Sequence, residues 1–307
     1  MEYFNFKEFI IKHKDLANRI FLLKKTTKKC GFFIYNKNLA FVTVSETSEK
    51  NSIATKYVEY VPNIEITSVY NCPSFEKGKY DFLILKEQEN DEIINSFTKL
   101  CDLYAHNPSV PFDEFIQSIV DLFQLTRTQS LLDCIGLFGE LVLLKTFFEN
   151  GINLSSFWHQ SGIYSKYDIS MPNINVEIKT SISDSTTFKI KHSQIFNKDK
   201  NVVALVSLRS TEATGLSLSD LVSYFRNTKP FSENLRFLIA LEKELQKKIE
   251  PDTFRKHFAL NDIYCFDCSK IKTLTNIPFN ITDIVYDYCF DINDSFDIND
   301  FARTYLR

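Results

Sequence analysis

Asn175-Val176-Glu177-Ile178-Lys179-Thr180 decides how this chain is read. Side chains of a strand alternate between its two faces, so Val176 and Ile178 share one face while Glu177 and Lys179 share the other. A carboxylate and an ammonium therefore stand together on one surface of a strand whose other surface is apolar. Nine residues before Glu177 lies Asp168, in a second strand-forming run at 167–171, and Pro172-Asn173 supplies a turn between the two runs. Folded as a hairpin, they bring Asp168 beside Glu177. Two converging carboxylates repel unless a cation sits between them. Mg²⁺ prefers oxygen ligands and often takes one or two carboxylates together with substrate phosphate. The ordinary alternative is a surface Glu–Lys pair of little energetic worth.

Glu140 adds weight to the first reading. It lies in Gly136-Leu-Phe-Gly139-Glu140-Leu-Val-Leu-Leu144, inside a helix expected over 130–150 with Gly151 as its stop. Its neighbours three and four residues away are Gly136, Leu137, Leu143 and Leu144, none of them a cation. A helix that is apolar nearly all round is expected to be buried, and an unpartnered carboxylate there is costly. A metal or Lys179 would serve as partner; an Arg or Lys from another segment is the ordinary alternative. Gly136 and Gly139 each cost the helix up to about 1 kcal/mol relative to Ala. Close approach of the helix to a sheet is the expected return at both.

Working outward, the residues before this helix read as an N-terminal α+β domain over 1–108. It is expected to open with a short amphipathic helix near 6–20. Strands are expected at 31–35, 39–44, 57–61 and 80–85, with a turn at Asn36-Lys-Asn38, and a helix at 92–104. Asn107-Pro-Ser-Val-Pro111 is the linker signal. The middle segment, 109–230, begins with a helix at 112–123 and continues with the 130–150 helix and the two strands described above. A doubly apolar, hence central, strand at 202–208 and a helix at 219–226 complete it. A C-terminal α+β extension over 231–307 reads as a helix at 233–248, a short helix from Asp252, and strands at 263–266 and 284–290. The fold class is α/β, a mixed central sheet flanked by helices.

The composition narrows the function classes. The chain has 307 residues, 44% of them hydrophobic, enough for a real core. It has no apolar run long enough for a membrane span, and its start lacks the pattern of a signal peptide. Seven scattered cysteines are not a disulfide framework. A cytoplasmic protein is expected. Cys265-Phe-Asp-Cys268 has zinc-knuckle spacing but no second Cys/His pair nearby, so a structural pair is expected. The repeat Phe290-Asp-Ile-Asn-Asp294, Phe296-Asp-Ile-Asn-Asp300 mimics the first ligands of a calcium loop. It has Phe296 where glycine is needed and Ala302 where glutamate is needed, so an EF-hand is rejected. The net charge is −3, yet Lys179 to Ser210 holds six Lys/Arg against two Asp, a local +4. A second cluster is Lys24, Lys25, Lys28 and Lys29; a solvated face is the ordinary reading of each. Trp158, the single tryptophan, is expected in the core rather than as a base-stacking platform.

The motifs Gly-Leu-Phe-Gly-Glu140-Leu, Phe157-Trp158, Ser161-Gly162, Asp168 and Val176-Glu177-Ile-Lys179-Thr180, in this order, resemble the PD-(D/E)XK nuclease superfamily. They are similar to a group of phosphodiesterases found among bacterial restriction and phage-defence genes. Phe188-Lys-Ile-Lys-His-Ser-Gln194 resembles the strand and following "QL" element of that group, with Ile195 in place of leucine. The specific match covers roughly 130–195, and Tyr167 stands where the family name has proline. The resemblance implies a restriction-endonuclease-like core and Mg²⁺-assisted hydrolysis of DNA, with Mn²⁺ able to substitute. It implies metal ligation by Asp168 and Glu177, with Glu140 a third acidic ligand, direct or through water. Lys179 is then expected to orient or help deprotonate the attacking water. Gln194 and His192 are weaker candidates for positioning substrate, and Lys189 and Lys191, within the local +4 stretch, for contacting the phosphate backbone. An ATPase, helicase or methyltransferase of the same defence system and a homodimer are the implied partners. A non-catalytic nucleic-acid-binding or scaffold subunit is the competing expectation, and an RNA- or junction-directed enzyme a third.

Overall fold

The computed structural model describes residues 20–27, 30–45, 51–72, 74–87, 90–108, 110–124, 131–159, 166–183, 185–195, 201–211, 214–245, 254–274 and 284–305. It divides the chain into two compact units, 1–126 and 127–307. The helix expected near 6–20, the start of the one expected from Asp252, and Ser161-Gly162 lie outside the described residues.

The first unit is built on a six-stranded antiparallel sheet. Its strands are β1 (Phe21–Lys25), β2 (Cys30–Tyr35), β3 (Asn38–Val44), β4 (Ile53–Ala54), β5 (Val58–Ile66) and β6 (Gly78–Leu85), in the spatial order β1-β2-β3-β6-β5-β4. Asn36 and Lys37, both at positive φ (50° and 65°), make the two-residue turn expected between β2 and β3. β5 runs past Pro62, where the sequence reading stopped. A bulge between Val61 and Ile64, with Asn63 at φ 58°, absorbs the interruption. Two helices follow, α1 (Asp91–His106) and α2 (Phe112–Gln124). α2, assigned from the linker signal to the middle segment, packs within this unit. Phe115 stacks on Tyr104 with centroids 4.4 Å apart, and Phe112 meets Tyr60.

The second unit opens with α3 (Leu131–Glu149), followed by β7 (Ile169–Ser170), β8 (Asn175–Ser181), β9 (Thr187–Lys191) and α4 (His192–Ile195). Next come β10 (Asn201–Thr211), β11 (Leu216–Ser217), α5 (Leu218–Asn227) and α6 (Leu235–Leu245). β12 (His257–Asp267), β13 (Val285–Cys289) and α7 (Ile298–Tyr305) complete it. α3 ends at Gly151, whose φ of 83° is readily available only to glycine; its N–H bonds Phe148 O and that of Ile152 bonds Phe147 O, each at 2.9 Å. The sheet order is β11-β12-β10-β8-β7, with β10 parallel to β8 and the other pairings antiparallel. β10 is the central strand its apolar run predicts, buried continuously from Asn201 to Val206. β12 lies beside β10, so 231–307 shares the sheet of the middle segment. α7 packs Phe301 on Phe147 of α3. β9 and β13 form a separate antiparallel ribbon.

Two faces of the sheet position the site. A Cβ added at Gly139 would fall 1.9 Å from Thr180 Oγ1 and 2.8 Å from Thr180 Cβ. α3 therefore lies against the β8 face carrying Val176, Ile178 and Thr180, as the close-approach reading of Gly139 requires. Gly136 is a correction to that reading: nothing lies within 4 Å of a Cβ placed there. On the other face Val203 and Leu205 form a buried cluster with Ile190 and Ile195, so β9 and α4 cover the face that carries Glu177 and Lys179.

Candidate metal centre

Asp168 immediately precedes β7, a strand shorter than the expected 167–171. Met171 N bonds Ile174 O at 2.9 Å across the Pro172-Asn173 turn, and the pairing runs Ser170 to Asn175 and Ile169 to Val176. One further step of this register sets Asp168 opposite Glu177. There the ladder ends, and Asp168 Oδ2 accepts the backbone N–H of Ile178 at 2.6 Å. The carboxylate thus occupies the edge of β8 that β7 leaves open.

Glu177 is 6% exposed. Lys179 Nζ donates to its Oε1 at 2.5 Å, so the pair expected on one strand face is formed. The Gln194 side chain favours the charged form of the Glu177 carboxylate, and its Nε2 donates to Lys166 O at 3.4 Å. Its own Oε1 accepts from Lys191 N at 3.0 Å. Asn201, 3% exposed, holds α4 in place: its Nδ2 donates to Gln194 O at 2.8 Å and to Tyr167 Oη at 3.0 Å, and its Oδ1 accepts from Asn175 Nδ2 at 3.0 Å.

Glu140 has partners that the sequence reading did not supply. Its Oε2 accepts Trp158 Nε1–H at 2.9 Å and lies 2.9 Å from His159 Nε2. Trp158 is 2% exposed and packs on Phe237, so it is a core residue as expected, but one whose single polar atom is spent on Glu140. His159 was missed altogether. Its backbone is at φ 47°, and its N–H bonds Asp168 O at 3.0 Å, continuing the bridge between Trp158 and Ile169. The signal that would have found it is a polar ring next to a tryptophan, a few residues before a strand that carries a candidate carboxylate.

Ligand atoms of Glu140, His159 and Asp168 all lie within 4.8 Å of one another. Glu177 adjoins this group, engaged by Lys179. Burial pushes the Asp168 carboxyl well above its ordinary range; the charges of Glu140 and Glu177 add to the shift, and Ile178 N–H and Lys179 oppose it. Burial also raises Glu177, against the pull of Lys179 and Gln194. Two carboxylates and an imidazole held this close in a poorly solvated place, with the charge of a third carboxylate acting on them, favour a bound cation, and the oxygen-rich donor set suits a divalent one. The residues therefore fit the metal that the motif implies.

The remaining expected residues are placed as follows. His192 Nδ1 bonds Tyr286 Oη at 2.7 Å and its backbone N–H bonds Ile284 O, tying it to the β13 segment. Lys189 and Lys191 project to solvent from β9, Lys189 opposite Asp287. Lys198 and Lys200 lie outside the described residues. Cys265 and Cys268 are both buried, and burial pushes their thiols up to about 12. In the calcium-like repeat, Asp291 accepts from Asn293 N and Phe296 pairs with Cys265 as a β-bridge, a turn rather than a cation loop. Among the described residues no helix is long and apolar enough to cross a membrane.

No curated protein and no solved structure matches the chain. Residues 16–287 match a family described as "Putative PD-(D/E)XK family member, (DUF4420)". That match covers most of the chain, both units included, and agrees with the mixed sheet and the flanking helices. The chain belongs to this PD-(D/E)XK family and has its restriction-endonuclease-like α/β fold.

Proposed function

We propose that the chain is a divalent-metal-dependent endonuclease that hydrolyses phosphodiester bonds of DNA and serves a restriction or phage-defence system. The observation that carries this reading is the convergence of Asp168, Glu140 and the Lys179-bonded Glu177 at the open edge of β8. Mg²⁺, with Mn²⁺ as substitute, is the expected ion; when bound it lowers the pKa of a water and polarises a phosphoryl oxygen. Asp168 and Glu140 would hold it, with Glu177 beside them. The Ile178 N–H on Asp168 Oδ2 and the Trp158 N–H on Glu140 Oε2 each fix one oxygen of a carboxylate and leave the other oriented. Lys179 brings an ammonium to the same place. Glu177 holds its Nζ, so the lysine is positioned both to orient a water and to offset charge on a phosphate. Gln194, on α4, favours the charged form of Glu177. Lys189 and Lys191 on the β9 surface are the proposed backbone contacts, a salt-sensitive and sequence-independent contribution.

The test is cleavage of plasmid, linear DNA and RNA by the full chain, with and without Mg²⁺, beside Lys179→Ala. Metal-dependent DNA cleavage that falls at least about 100-fold in the variant is expected, the range for losing a group that assists proton transfer. Equal rates in the two proteins would overturn the catalytic assignment. Binding of DNA without cleavage under any metal would favour the non-catalytic subunit.

A further inference from the structure

We infer that His159 is a direct nitrogen ligand of the metal centre and shifts its preference from Mg²⁺ toward first-row transition ions, Mn²⁺ included. The inference rests on the reading that Glu140 and Asp168 hold a divalent cation, and goes beyond it by adding a ligand that the acidic motif does not contain.

Position comes first. A ring nitrogen of His159 and oxygens of Glu140 and Asp168 form one group within 4.8 Å, a span that an ion with bonds of about 2.1 Å bridges with small side-chain adjustment. The imidazole is held there from its own backbone. His159 N–H bonds Asp168 O at 3.0 Å, so the two residues are tied through a short stretch of ladder that Trp158 and Ile169 continue. The left-handed conformation at His159, φ 47°, is uncommon outside glycine, though histidine, like asparagine and aspartate, adopts it more readily than most residues. Such a conformation persists where the surroundings impose it, and such places are often sites.

The partners of Glu140 supply the second argument. Trp158 Nε1 and His159 Nε2 both address the same oxygen, Oε2. The indole is buried, packed against Phe237, and can only donate. It suffices to hold the carboxylate. A second donor on that oxygen is redundant for orientation, whereas the imidazole nitrogen beside two carboxylates is a complete third donor for an ion. With a metal present Nε2 is unprotonated and Glu140 keeps its indole bond, so neither residue loses its last partner.

Ligand chemistry then sets the preference. Mg²⁺ takes oxygen ligands and gains little from an imidazole. A nitrogen donor favours first-row transition ions over Mg²⁺; Mn²⁺ gains least of that series, but the carboxylates suit it and it serves as the spectroscopic probe.

The experiment uses the full metal-free chain and Mn²⁺ alone as probe, followed by pulsed electron paramagnetic resonance and by titration calorimetry, with Mg²⁺ titrated in parallel. Asparagine tolerates the left-handed backbone, so His159→Asn is the variant. Bound Mn²⁺ should show nitrogen-14 modulation in the unsubstituted chain that disappears in His159→Asn. Mn²⁺ affinity should fall at least the roughly tenfold that losing even an outer partner of a metal site costs, with Mg²⁺ affinity changed less than about threefold. The spectroscopic part needs no variant to fold. Mn²⁺ bound without nitrogen modulation, or equal loss of affinity for both ions, overturns the ligand assignment and leaves the metal centre of carboxylates standing. Failure of the unsubstituted chain to bind either ion overturns both.

Discussion

The contact between Gly139 and Thr180 gives a pair of substitutions with opposite signs. An alanine Cβ at 139 would sit 1.9 Å from Thr180 Oγ1, 2.7 Å from Cγ2 and 2.8 Å from Cβ. Rotation of the threonine can remove the first two contacts. It cannot move Thr180 Cβ, which is anchored to β8. Ordinary contact begins near 3.4 Å, so helix and strand must separate by about 0.6 Å, 3.4 less 2.8, at the least. Overpacking of this kind costs about 1–3 kcal/mol, and the gain in helix propensity from Gly to Ala returns up to about 1 kcal/mol. A net loss of up to about 2 kcal/mol is expected, which for a unit of this size lowers Tm by up to roughly 8 °C. Gly136→Ala, three residues away on the same helix, meets nothing within 4 Å and should keep the propensity gain, raising stability by up to about 1 kcal/mol. Thermal and urea unfolding followed by circular dichroism measure both. Because Glu140 follows Gly139, displacement of α3 also misplaces the carboxylate. An error on the scale of 1 Å costs about 100-fold in rate, so Gly139→Ala should lose cleavage while Gly136→Ala retains it. Stability gains of the same sign and size in the two variants would refute the close packing of α3 on β8.

Asn201→Ala removes three hydrogen bonds at once, leaving Gln194 O and Tyr167 Oη without that donor; a loss of about 1–3 kcal/mol is expected by urea denaturation, and an unchanged midpoint would contradict it. The pH dependence follows from the raised carboxyls of Asp168 and Glu177. A group whose folded pKa lies above its unfolded value contributes stability that is complete below the unfolded pKa and is lost as pH rises through the folded one. The metal-free chain should therefore lose stability relative to Asp168→Asn, in which residue 168 cannot ionise, as pH rises from the ordinary carboxylate range through the raised values. A difference between the two proteins that stays constant or grows in favour of Asp168 with pH, in differential scanning calorimetry, would reverse the assignment.

Much of the second unit was legible because its signals are local. α3 announces itself by an apolar run closed by Gly151, and β10 by six consecutive residues that bury on both faces. The Glu177–Lys179 pair follows from strand alternation alone. Other features depend on partners distant in sequence. β12 reads as 263–266 because Leu260-Asn-Asp262 is exposed and a shift in register opposite Ser207 and Leu208 breaks the alternation; the observed strand begins at His257. β5 was cut at Pro62 for a similar reason, a bulge that no periodicity announces. At the site, an apolar helix with a lone carboxylate implied that Glu140 needs a partner. It did not say which, because Trp158 and His159 reach it only after the chain returns along β7. Gly136 and Gly139 look alike in sequence, and only the presence of Thr180 beneath one of them tells them apart.

The central claim is that the carboxylates at the open edge of β8 form a metal centre. Anomalous diffraction from crystals of the full chain soaked in Mn²⁺ tests it most directly. A peak bounded by Asp168, Glu140 and His159, with Glu177 adjoining, is expected, and it should disappear in Asp168→Asn. A fully occupied Mn²⁺ peak elsewhere in the chain, with none at these residues, would contradict it.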